Sequence, residues 1–264
     1  MSDMLRRLYA AKAEALRAEE IREPHEVLIE RAEQRRAERR PFAAALRAAQ
    51  GPAIVAEIKR ASPSVGLIAR NFEPAEIAAA YAAAGADAIS VLTEADHFLG
   101  DLAYLDVARA HAPLPILRKD FLSTRYQIAQ SAAYGADAVL LIVAGLDDAL
   151  LRELLAEADR FGLDALVEVH DEDELGRALA AGATLVGINN RDLRTFEIDL
   201  GVTEYLLPGV PAGTLVISES GVHAADDVAR LHAAGARAFL VGESLMRAAD
   251  RGAFLAELKG VGVR

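Results

Sequence analysis

The chain has 264 residues, 53% of them apolar, and a formal net charge of −11. That length suits one α/β barrel or two smaller domains, and the acidic balance disfavours a nucleic-acid partner, which needs a basic footprint. Cysteine is absent, which excludes disulfides, thiolate metal sites and cysteine catalysis.

The first fifty residues read as helices. "MSDMLRRLYAAKAEALRAEE" has no apolar signal core, so a cytoplasmic chain is expected. Leu5, Leu8, Tyr9 and Leu16 form one apolar helical stripe. "ERAEQRRAERR" (30–40) reads as a charge-laced helix stopped near Pro41; its interleaved glutamates point to a solvated face rather than a nucleic-acid arm. The expectation is an N-terminal helical extension (1–50) packed over one end of a barrel (51–264), a single domain overall. No membrane partner is expected, because the longest apolar run, "AVLLIVAGL", falls far short of the roughly 20 residues that span a bilayer.

From residue 53 short strand-like runs alternate with alanine-rich helical segments. The runs are 53–59, 88–92, 115–121, 138–143, 165–170, 184–189, 214–220 and 238–242. Eight such units imply a parallel sheet and fit a closed (β/α)8 TIM barrel. An open doubly wound sheet is the alternative, but no G-x-G-x-x-G turn follows the first strand. "AGADAIS" (84–90), "YGADAVL" (134–140), "AGATLVG" (181–187) and "AGARAFL" (234–240) recur about every fifty residues, before the even-numbered strands. Each sets a glycine where a helix ends, and the period reads as four βαβα quarters.

Alternate strand residues point into a barrel, and catalytic groups gather at the C-terminal strand ends. A period of two groups Val55, Glu57 and Lys59; Leu117, Lys119 and Phe121; Leu166, Glu168 and His170; Gly187, Asn189 and Arg191; and Ile217 with Glu219. Each set begins small or apolar and turns polar at its end, and a strand merely emerging into solvent would not coordinate this across five strands. Mixed acids and bases at such density suit proton transfer. Of 29 cationic residues only Lys12, Lys59, Lys119 and Lys259 are lysines, and lysine can release a proton where arginine effectively cannot. Gly221 in "SESGV" and Gly242 in "LVGES" sit in the loops after strands seven and eight, where barrels of this class bind phosphate through bare amides, and "GESLMR" reads as a short helix beside them. Glu168, His170 and Asp171 lack metal-ligand spacing, and "HDEDEL" reads better as the acidic first turn of a helix. No flavin or nicotinamide signature is present. The residues thus point to a cofactor-free, metal-free barrel doing acid–base chemistry on a small phosphorylated anion.

Seven stretches resemble the indole-3-glycerol phosphate synthase family of tryptophan biosynthesis: "AEIKRASPSVG" (56–66), "VLTEADHFLGD" (91–101), "ILRKDFL" (116–122), "LVEVHDEDEL" (166–175), "GINNRDLRTFEIDL" (187–200), "ISESGV" (217–222) and "FLVGESLMR" (239–247). The resemblance implies ring closure of 1-(2-carboxyphenylamino)-1-deoxyribulose 5-phosphate, with loss of CO2 and water. It implies Lys119 as general acid and Glu168 as its proton-shuttling partner. Lys59 would bind the substrate carboxylate or phosphate and assist proton transfer, and Glu57 and Asn189 would orient these groups and the substrate hydroxyls. Arg191 and Glu219 would complete the polar rim. Ser62, Phe98 and Phe121 would shape the pocket for the aromatic ring, and Ser220, Gly221, Gly242 and Glu243 would hold phosphate. Glu243 departs from the uncharged serine that many relatives carry, and a carboxylate there works against a phosphate. Arg118 and Asp120 would face away from the site. A rival barrel family, phosphoribosylanthranilate isomerase, commonly uses a cysteine that this chain lacks; a non-catalytic phosphate-binding barrel is the other alternative.

Overall fold

Every strand read from the sequence forms, with ends within two residues of expectation. The structure, a computed structural model, describes residues 3–260. Its barrel strands are β1 (Ala53–Ile58), β2 (Ala88–Leu92), β3 (Ile116–Lys119), β4 (Ala138–Ile142), β5 (Asp164–Val169), β6 (Leu185–Asn189), β7 (Leu215–Glu219) and β8 (Ala238–Val241). Neighbours in this order pair in parallel, and β8 pairs with β1 to close the barrel. This is a (β/α)8 TIM barrel, so the open-sheet alternative falls away.

Three helices precede it: α1 (Asp3–Arg22), α2 (His25–Gln34) and α3 (Phe42–Ala48). The others are α4 (Pro74–Ala83), α5 (Tyr104–His111), α6 (Arg125–Ala133), α7 (Asp148–Arg160), α8 (Glu172–Ala180), α9 (Gly201–Leu206), α10 (Ala225–Ala234), α11 (Glu243–Arg247) and α12 (Arg251–Lys259). The fifty-residue repeat has a backbone cause. Gly85, Gly135, Gly182 and Gly235 all have φ between 82° and 116°, a left-handed stop at the ends of α4, α6, α8 and α10 that side chains rarely tolerate. In the first two repeats the following aspartate caps a neighbouring strand: Asp87 accepts from the Ile54 amide at 2.7 Å and Asp137 from Ile116 at 2.9 Å.

The inside–outside alternation follows the strand period. Val55, Leu117, Leu140, Leu166, Ile217 and Leu240 fill the barrel interior, while Ile54, Ile89, Val139, Val167 and Phe239 face the surrounding helices. Apolar packing in the lower barrel leaves the polar strand ends at the top as the place where charge can gather.

The N-terminal extension behaves differently from expectation in two respects. It does not sit over one end. Leu5 and Leu8 of α1 reach the C-terminal mouth, α2 packs along the flank against α6, and Phe42, Ala43 and Leu46 of α3 join the interior cluster that includes Leu185 and Leu215 at the N-terminal strand ends. A 20-residue helix such as α1 spans about 30 Å, enough to carry the chain across the barrel's height. Nor is 30–40 one solvated helix. α2 ends at Gln34, a 3-10 turn covers Arg36–Glu38, and the arginines dock on helix ends. Arg35 donates to the Ala133 carbonyl (2.9 Å), Arg39 to Ala132 (2.7 Å), and Arg40 to Ala112 and Leu114 (both 2.7 Å). Ala132 and Ala133 end α6, Ala112 caps α5, and Leu114 lies in the loop that follows it, so the guanidinium forks fasten the extension to carbonyls where helical bonding runs out.

Candidate active site

All fourteen residues proposed for the site line one cavity at the C-terminal mouth, which encloses about 1270 Å³ with open solvent included. Lys119, at the end of β3, is its electrostatic centre. Its Nζ donates to Glu168 Oε2 at 3.0 Å and lies 3.0 Å from Glu219 Oε2, the latter at ion-pair distance without hydrogen-bond alignment. Both carboxylates are buried. Glu219 fits because its carboxylate lies over a glycine of β6: a Cβ at Gly187 would overlap Glu219 Oε1. Asn189, in register with Glu219, donates to Glu168 Oε1 at 3.2 Å.

The two carboxylates are not equivalent. Burial raises the proton affinity of both. At Glu168 the Lys119 ammonium and the His170 imidazole overcome burial and hold the carboxyl well below its usual range. At Glu219 burial and the nearby charge of Glu168 prevail over Lys119, and its pKa is pushed up to about 7. Burial acts to neutralise Lys119, but Glu168, Glu219 and Glu57 outweigh it and raise its pKa, so it is protonated at neutral pH. A second pair stands beside this trio, with Lys59 Nζ 2.7 Å from Glu57 Oε1 at the end of β1. Gly242 makes room for it, because a Cβ there would overlap Glu57 Oε1 and lie 2.9 Å from Lys59 Nζ.

One wall is apolar. Phe121 packs edge-on to Tyr9 (5.7 Å between centroids) and tilted to Phe98 (6.2 Å), with Leu5, Leu8, Ile142 and Leu193 also facing the cavity. Glu94 fixes the loop that carries Phe98, accepting the amides of His97 (2.8 Å) and Phe98 (2.9 Å). Ser62 lies on a short hairpin after β1, Ala61–Ser62 against Gly66–Leu67. Arg191 leads the loop after β6 and donates to the Phe196 carbonyl at 3.2 Å.

The opposite side is built from turns. Ser220 (φ 64°) and Gly221 (φ 90°) are consecutive left-handed residues, and a Cβ at Gly221 would press on Ile198 and Leu200 at 2.7 and 2.8 Å. Gly242 caps α11, whose first residue, Glu243, pairs with Arg247 at 3.0 Å. That ion pair sets a cation beside the Glu243 carboxylate. Among the described residues the non-glycine positions with positive φ are Leu99, Phe196 and Ser220, all in loops at this mouth. Backbone strain of this kind costs about 1–3 kcal/mol per residue and clusters at functional sites.

Sequence reasoning missed several supports. Asn190 points away from the barrel axis, donating to Ser218 Oγ and to the Glu219 and Ser220 carbonyls, each at 3.0 Å. The second asparagine of "INNRDL" signals it only once the strand's parity is known. Leu5 and Leu8 were legible as a stripe but not as cavity lining. As expected, Arg118 faces away: it is 1% exposed and bonded to Thr93, Gln130, Ser131 and Asp120; Asp120 borders the cavity, but its carboxylate is buried and taken up by Arg118, Thr93 and Lys12, the last at 2.8 Å. Among the described residues no group of three or more His, Asp or Glu is arranged to hold a metal ion, and no helix is long and apolar enough to cross a membrane.

Comparison with known proteins bears on the fold and the family. Solved structures of similar fold include KGPDC from Streptococcus mutans (TM-score 0.61, 17% identity, 80% of this chain and 97% of that one) and a 3-hexulose-6-phosphate synthase (TM-score 0.60, 21% identity, 79% and 99%). These share the barrel alone. Relatives named indole-3-glycerol phosphate synthase are far nearer in sequence: one from Albidiferax ferrireducens is 50% identical over 98% of both chains, and one from Burkholderia vietnamiensis is 48% identical over 98% of this chain and 99% of its own. The family model for indole-3-glycerol phosphate synthase matches residues 5–258, and the chain belongs to that family.

Proposed function

We propose that the protein converts 1-(2-carboxyphenylamino)-1-deoxyribulose 5-phosphate to indole-3-glycerol phosphate in the cytoplasm, without a cofactor. The observation that carries this reading is the ammonium of Lys119 held between two buried carboxylates of opposite tendency, beside an aromatic wall and glycine turns. With the ring carboxylate ionised, the reaction takes up one proton and releases CO2 and water. Bonding the aromatic carbon to the keto carbon makes an alkoxide, and Lys119, loaded with its proton, supplies it. The ring carboxylate departs as CO2, its electron pair restoring aromaticity. The hydroxyl then leaves as water, with Glu168 taking and returning protons alongside Lys119. Glu219, with a pKa pushed up to about 7, can hold a proton near neutral pH and reloads Lys119.

Lys59, steered by Glu57, binds an anionic group of the substrate, and Asn189 fixes Glu168. Arg191 closes the polar rim. Ser62, Phe98 and Phe121 shape the slot for the aromatic ring. Ser220, Gly221, Gly242 and Glu243 offer backbone amides to the phosphate. The test is direct: purified protein with this substrate should give a growing indole fluorescence and one CO2 per turnover. Binding of the substrate with no product would make the protein a non-catalytic barrel.

A further inference from the structure

We propose that His170, which does not line the cavity, is a positioning residue that acts through Glu168: held as an imidazolium by Glu174, it keeps Glu168 ionised and so makes the two carboxylates around Lys119 chemically different. The proposal deepens the reading above and rests on it for the catalytic consequence, though not for the charge state of the ring.

The geometry sets that charge state. His170 Nδ1 hydrogen-bonds Glu174 Oε2 at 2.9 Å, and Nε2 lies 3.4 Å from Glu168 Oε1, at ion-pair distance without hydrogen-bond alignment. A neutral imidazole has one N–H and one lone pair. With Nδ1 bonded to Glu174, a neutral ring would turn its Nε2 lone pair toward the Glu168 carboxylate, whereas the imidazolium sets positive charge against both carboxylates. The His170 side chain is 14% exposed, so water contributes little relief. Glu174 is itself anchored: it accepts the His170 amide at 2.9 Å, and its own amide donates to the N-cap Asp171 at 2.9 Å. The first turn of α8 therefore delivers a fixed anion behind the ring. Burial alone would neutralise His170, but the Glu168 and Glu174 carboxylates beside it push its pKa up to about 10.

The consequence lies at Glu168. The charged groups facing it are Lys119 from β3, Glu219 from β7 and His170 from β5 itself, with Tyr9 of α1 neutral and Asn189 of β6 a neutral donor. Glu57 of β1 acts on it indirectly, through Lys119 and Glu219. When Lys119 gives its proton to substrate it ceases to be a counter-ion. Among the described residues Glu219 pairs with no second cation, and it gains proton affinity. Glu168 keeps His170, so during ring closure it stays an anion, does not intercept the proton intended for the substrate, and is left able to act as a base in the dehydration that follows. A pair of like groups with environments that differ in this way is how one site assigns acid and base roles.

Two measurements test this. The first needs no turnover: ¹⁵N-labelled protein, with the His170 ring signals assigned by their loss in His170→Gln, should show both ring nitrogens protonated at pH 7.5. A neutral tautomer there overturns the proposal whatever the protein catalyses. The second is the pH profile of kcat in the parent, His170→Gln and Glu174→Gln. Removing a cation beside a carboxylate favours its neutral form, so the acid limb should move up by about 1–2 pH units in His170→Gln, with less than about a threefold change in KM. Glu174→Gln should move it the same way by less, and the double variant should match His170→Gln alone. A His170→Gln enzyme with lowered thermal stability but an unmoved limb makes His170 a merely structural residue and refutes the proposal. Should His170→Gln fail to fold, an unmoved limb in Glu174→Gln does the same. A parent without turnover fails the proposed function instead, and the ring's charge state still stands or falls by its spectrum.

Discussion

Replacing Lys119 by arginine separates proton donation from charge. The positive charge survives, so Glu168 and Glu219, each 3.0 Å from Nζ in the parent, keep a counter-ion. The side chain opens onto the cavity and is 17% exposed, so the longer guanidinium has room to extend. Folding and the binding of an unreactive substrate analogue should therefore be nearly unchanged. What is lost is a donor that can release its proton, since a guanidinium stays protonated at any ordinary pH. Loss of a general acid typically costs about 10²–10⁴ in rate, equivalent to about 3–5 kcal/mol of transition-state stabilisation at 1.36 kcal/mol per decade. Single-turnover ring closure, followed by indole fluorescence, should slow by that factor, with the analogue's dissociation constant within about threefold of the parent. If Lys119→Arg keeps kcat within about threefold of the parent, Lys119 acts only as an electrostatic clamp and the donor has to be sought at Lys59.

Gly242→Ala introduces a methyl that overlaps Glu57 Oε1 and approaches Lys59 Nζ without straining the backbone; KM should rise and kcat fall together, and steady-state kinetics matching the parent would show that the Glu57–Lys59 pair does not matter. Asp120→Asn leaves Arg118 and Lys12 without their shared carboxylate and should cost about 3–5 kcal/mol in urea unfolding at pH 7. Burial works against Asp120's charge, but Arg118 and Lys12 hold its pKa at about 2; its contribution is therefore present above the ordinary carboxyl value of 3.8, is lost as pH falls through about 2, and should be missing from the acid-unfolding curve of the variant. Phe42→Ala, at the far end of the barrel from the cavity, should destabilise by about 3–5 kcal/mol with kcat and KM intact at 25 °C; altered kinetic constants would show that the lower plug communicates with the site.

The barrel was legible in the chain because its signals are local. Strand periodicity, alternating helices and four left-handed glycines at regular spacing specify the closed sheet, and a period of two says which residues reach the mouth. That is why Glu57, Lys59, Lys119, Glu168, Asn189 and Glu219 could be named together before any coordinates. The rarity of lysine was a weaker guide. All four lysines pair with carboxylates, yet Lys12 clips α1 to Asp120 and Lys259 ties α12 to Asp87, far from any chemistry. Composition cannot tell a proton donor from a clip, because both need an amine next to an acid. Residues 30–40 looked solvated because their charges alternate; the carbonyls that absorb those arginines lie at the end of α6 and just past the end of α5, some 70–100 residues away. The same holds at the site. That Lys119 bridges Glu168 and Glu219 while His170 stands behind only one of them depends on ångström distances between separate strands and on burial. Local pattern places a side chain inside or outside, but its charge state is set by neighbours that only the closed barrel brings within reach.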